Sequence, residues 1–68
     1  MNDKNTLIIL DYIENKINDY TKIYNNLTKL YSDTEEENEL DEIMLKINHY
    51  DSITEELEEV KNFIKNLL

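Results

Sequence analysis

Between Leu10 and Tyr31 the chain reads LDYIENKINDYTKIYNNLTKLY, and the spacing of its apolar residues decides the fold. Leu10, Ile13, Ile17, Tyr20, Tyr24, Leu27 and Tyr31 follow one another at alternating steps of three and four residues. That is an unbroken heptad seam, with Leu10, Ile17, Tyr24 and Tyr31 at position a and Ile13, Tyr20 and Leu27 at position d. Ile9, Ile23 and Leu30 each precede an a position and widen the stripe to a third column. A stripe that broad serves two neighbours rather than one. Asp11, Asn15, Asn18, Lys22, Asn25 and Lys29 fill the opposite face, so the pattern predicts an amphipathic helix over residues 4–31.

Downstream, Tyr31-Ser32-Asp33-Thr34-Glu35 reads as the one turn of the first half. Ser32 with Glu35, or Thr34 with Glu37, has the spacing of a capping box, in which a hydroxyl and a glutamate satisfy the first free N–H groups of a helix. Glu35, Glu36 and Glu37 then fall in a first turn, where the helix dipole favours negative charge. The second helix is expected over residues 34–68. Leu40, Ile43, Ile47 and Tyr50 keep the heptad rhythm, and Ile53, Leu57, Val60, Ile64 and Leu67 keep it again. Between the two sets the register slips by three, a stammer that coincides with Asn48-His49-Tyr50-Asp51-Ser52 and a second capping-box spacing, Ser52 with Glu55. The expectation is therefore an all-α antiparallel helical hairpin whose second helix is bent or broken near residues 49–52, with a three-helix bundle as the alternative.

Composition excludes much else. The 68 residues contain no Gly, Pro, Cys or Trp, and hairpin turns without glycine make an all-β fold untenable. No disulfide, thiolate site or Cys-based zinc site can be built, and a single His49 cannot supply a His-rich metal site. The longest apolar run, Leu7-Ile8-Ile9-Leu10, is far below the ~20 residues of a membrane span. There is no Ser/His/Asp spacing, no glycine for a phosphate loop and no room for a substrate cleft, so no enzyme, cofactor or metal is expected. Ten Asn, nine Ile and the absence of Arg and Ala suit an AT-rich genome, such as that of a phage or another mobile element. Met1 and the closing Leu67-Leu68 read as the ends of a complete short reading frame. One cytoplasmic domain spanning 1–68 is the expected unit.

Charge is uneven. Four acids balance four lysines in residues 1–31, whereas twelve acids face three lysines in residues 32–68, which hold the whole net charge of -9. Seven of those acids crowd between Asp33 and Glu42. Without glycine this segment cannot form a calcium loop, and its excess negative charge repels nucleic acid. It reads as a docking face for a basic protein surface, with Glu35, Glu36, Glu39, Asp41 and Glu42 as the binding residues. His49 reads as a partly exposed residue at a helix end or bend, and Tyr20, Tyr24 and Tyr31 as packing residues rather than base-stacking ones.

The expected function is thus a small acidic interaction module, a non-enzymatic regulator or inhibitor. A structural subunit packing its apolar stripe into a larger helical complex is the alternative. A more distant option comes from Glu39-Leu40-Asp41, which resembles the end of the Ser-Gln-Glu-Leu-Asp motif of small hairpin phosphatases acting on aspartyl-phosphate response regulators. Glu37 and Asn38 stand where that motif has Ser and Gln, so the family reading is set aside. A second helix longer than the first would leave Ile53, Leu57, Val60, Ile64 and Leu67 uncovered, and their pairing between two chains predicts a homodimeric four-helix bundle.

Overall fold

The computed structural model describes residues 4–68, which form two helices: α1, Lys4–Asp33, and α2, Glu37–Leu67. They pack antiparallel into a rod of 51 × 14 × 12 Å. Its radius of gyration is 15.6 Å, against the roughly 11 Å expected of a compact domain of this length. The all-α hairpin expected from the heptads is the observed fold.

On α1 the seam behaves as its spacing predicts. Leu10, Ile13 and Ile17 are buried, and Tyr20, Tyr24, Leu27 and Tyr31 are half-buried. On α2, Ile43 and Ile47 complete a core of five buried hydrophobic residues. The Tyr20 and Tyr50 rings meet near the middle of the rod, 5.7 Å apart and tilted by 44°. Such a pair contributes ~0.5–1.5 kcal/mol beyond its buried area.

Three sequence expectations are corrected. First, α2 runs through residues 49–52 as one helix, so the break and the three-helix alternative are not formed. The reason lies in which residues face α1. Leu40, Ile43, Ile47, Tyr50, Thr54, Leu57, Lys61 and Ile64 are all buried or half-buried and step three, four, three, four without interruption, with Ile53 and Glu58 half-buried beside them. Counting apolar residues alone skips Thr54 and Lys61 and manufactures a register slip that the backbone does not have. A lysine can hold a seam position because its aliphatic stem packs while its ammonium reaches outward. The Lys61 side chain is 15% exposed, and its Nζ lies 3.2 Å from Glu58 Oε2 and 3.8 Å from Glu14 Oε1 on α1.

Second, the hydroxyls at the turn face backwards. Ser32 Oγ donates to the Thr28 carbonyl and Thr34 Oγ1 to the Leu30 carbonyl, at 3.2 and 2.7 Å, so both serve the end of α1 rather than the start of α2. The Thr34 N–H adds a bond to the Tyr31 carbonyl. The bonds to Leu30 and Tyr31 satisfy carbonyls left free at the end of α1, which a left-handed glycine usually helps to serve, and no described residue has positive φ. The cap of α2 is Glu36, extended at φ -76° and ψ 125°, with no side-chain cap bond. Ser52 lies inside α2 and caps nothing. Third, α2 does not outrun α1, since the helices have 31 and 30 residues.

Candidate functional site

Two surfaces stand out, one at the turn end and one along the length of the rod. The turn end carries the acidic segment. Asp33 closes α1, Glu35 and Glu36 lie in the connection, and Glu37, Glu39, Asp41 and Glu42 open α2. All seven are exposed, and among the described residues none enters an ion pair. The five acids expected to bind a partner, Glu35, Glu36, Glu39, Asp41 and Glu42, are therefore together and accessible. Glu37 and Glu39 sit in the first turn of α2, where the helix dipole favours them. Among the described residues, no group of three or more His, Cys, Asp or Glu is arranged to hold a metal ion.

The second surface is an apolar flank. In an antiparallel pair, the positions just before a on both helices fall on the same side of the seam. On α1 these are Ile9, Lys16, Ile23 and Leu30, and on α2 Ile53, Val60 and Leu67 follow Lys46. Ile9 and Leu67 line one groove of about 490 Å³ together with Thr6 and Ile64, as that placement requires. Ile9 is 51% exposed, Leu30 50%, Val60 47% and Leu67 58%. Lys16, the one charge in the α1 column, folds its ammonium over the Tyr12 ring, 5.5 Å from the centroid. Tyr12 and Phe63, both largely exposed, broaden this flank towards the open end.

The other side of the seam is mostly polar. It carries Glu14, Thr21, Thr28, Asp51, Glu58 and Lys65, with Leu7 and Met44 as apolar members. A smaller cavity of about 180 Å³ opens there between Thr21, Tyr24, Asp51 and Thr54. Thr21 Oγ1 donates to the Ile17 carbonyl at 2.7 Å, whereas Thr54 Oγ1 is buried with no hydrogen-bond partner.

The five residues expected to self-associate are split by this geometry. Leu57 and Ile64 are seam residues, half-buried against α1, while Ile53, itself half-buried, and the exposed Val60 and Leu67 belong to the flank. Phe63 and Tyr12 were missed as surface features because neither lies on a heptad core position. His49 is exposed and stacks edge-on against Tyr50, with centroids 5.4 Å apart. Comparison with protein-family models, with curated proteins and with solved structures finds no match to this chain. No helix among the described residues is long and apolar enough to cross a membrane.

Proposed function

We propose that the chain is a non-enzymatic protein–protein interaction module, a small cytoplasmic regulator or inhibitor that docks its acidic turn end on a basic partner surface. The observation that supports this reading is the exposure of all seven carboxylates from Asp33 to Glu42 at one tip of a narrow rod, with no cation paired to them among the described residues. Clustered charge at a tip accelerates encounter with a surface of opposite sign and gives little to folding. The phosphatase option gains nothing from the geometry.

The test compares the parent with a variant carrying Glu35→Gln, Glu36→Gln, Glu39→Gln, Asp41→Asn and Glu42→Gln, against a partner captured from the source cell. The variant should keep its helicity and lose most of its binding. Parent binding should fall steeply between about 0.05 and 0.5 M salt, as the screening length contracts. Equal affinity of parent and variant would sink the reading. The exposed flank favours a second reading, an assembly subunit that packs into a larger helical complex, whose binding would hardly respond to salt.

A further inference from the structure

We propose that the apolar flank built from Ile9, Ile23, Ile53, Val60 and Leu67 is the interface between two copies of this chain, paired about a two-fold axis with their acidic turns at opposite ends. This stands apart from docking by the acidic turn and survives its failure.

Area is the first argument. The chain exposes 5430 Å². A compact monomer of 8.2 kDa exposes about 4,500 Å², so the excess is about 900 Å². A standard interface covers about 800 Å² on each partner. One second copy laid along the flank removes what the single hairpin fails to bury.

The core gives the same answer. Of the described residues, only Leu10, Ile13, Ile17, Ile43 and Ile47 are buried hydrophobics, and no side chain is fully buried. Small domains this thin rely on disulfides, a metal or another chain, and the first is excluded by the absence of cysteine. Among the described residues no acid or histidine cluster supplies the second.

Shape and charge then specify the partner. The flank is made of the same heptad column on two antiparallel helices, so its two halves present equivalent geometry and meet their own copies across a two-fold axis. Pairing with the turns side by side would set two groups of seven carboxylates against each other, since those residues crowd one end. Pairing with the turns apart lengthens that distance to the long dimension of the rod, 51 Å, far beyond the ~8 Å screening length at physiological salt.

Sedimentation equilibrium on the full chain at tens of micromolar should give twice the 8.2 kDa chain mass. Introducing Ile23→Glu and Val60→Glu together should halve that mass. A second measurement uses single cysteines, clean here because the chain has none. Ile53→Cys, near the middle of α2, should be cross-linked between copies by a bismaleimide of about 10 Å span, comparable to the distance between packed helix axes. Glu55→Cys, turned about 200° round the helix at 100° per residue, should not be. If the doubly charged variant loses its helicity, the cross-linking decides, because Ile53→Cys keeps an apolar side chain. A monomeric parent, an undiminished mass in the charged variant, or equal cross-linking of the two cysteine variants would each overturn the proposal.

Discussion

The turn end and the open end of this hairpin share one backbone plan and differ in almost everything their side chains present. At the turn end seven carboxylates crowd the surface, with Leu30 and Leu45 exposed behind them, and the buried residues come from α2, Ile43 and Ile47. At the open end the buried residues come from α1, Leu10, Ile13 and Ile17, and Leu7, Ile8, Tyr12 and Phe63 are all more than half exposed among the exposed acids Glu55, Glu56 and Glu59. A two-helix rod has only one seam, so each cross-section buries few side chains. The surplus apolar residues have nowhere to go within the chain. Seven carboxylates crowd the turn end, whereas the exposed apolar residues run along the whole rod, from Leu7 to Leu30 on α1 and from Leu45 to Leu67 on α2.

The strongest way to break this comparison is to remove its core from either half. Ile17→Ala at the open side and Ile47→Ala at the turn side should each cost ~2–5 kcal/mol, the range for deleting a buried aliphatic side chain. A core of this size supplies no more than ~3–5 kcal/mol, so either variant should be largely unfolded by circular dichroism at 37 °C. If one variant melts like the parent, that half contributes no stability, and the rod is held from one end only.

A change of opposite sign tests the polar positions that disguised the seam. Thr54 Oγ1 is buried without a partner, and such a group costs ~1–3 kcal/mol. Thr54→Val keeps the shape and removes the hydroxyl. It should raise the melting temperature, by about 4–8 °C for each kcal/mol recovered in a domain of this size. An unchanged or lower melting temperature would mean that the hydroxyl is satisfied in solution.

These positions also explain how much could be read from the sequence. The α1 seam was legible in full because every one of its a and d positions from Leu10 to Tyr31 is apolar. The α2 seam was legible up to Tyr50 and, beyond it, only at Leu57 and Ile64. Beyond it Thr54 and Lys61 occupy the inward positions, and the neighbouring Ile53 and Val60 offered an apolar rhythm one residue out of phase. Burial follows the backbone's own repeat, and a methyl group or a lysine stem satisfies it as an isoleucine does. The caps were misread for a related reason. A serine or threonine hydroxyl serves the helix behind it as readily as the one ahead, and spacing alone does not choose. Exposure of the acidic residues was legible from charge, whereas the flank required knowing that two columns, from two helices, lie on one side.

The smallest expected effect concerns the one cation that the open half holds inside its seam. Lys61 Nζ is 3.2 Å from Glu58 Oε2 within α2 and 3.8 Å from Glu14 Oε1 across to α1. The cross-helix contact is the longer, and the Glu14 side chain is 55% exposed, so water screens it strongly. Exposed pairs of this kind contribute ~0.2–1 kcal/mol, and Glu58 remains to neutralise the ammonium. Glu14→Gln should therefore lower stability at the bottom of that range, a shift of a few degrees at most, which added salt should erase. A loss that persists in high salt would show that Glu14 does more than offer charge. The carboxylate would then be fixing where the Lys61 stem lies in the seam, and the open end would owe its register to a polar contact that the turn end lacks.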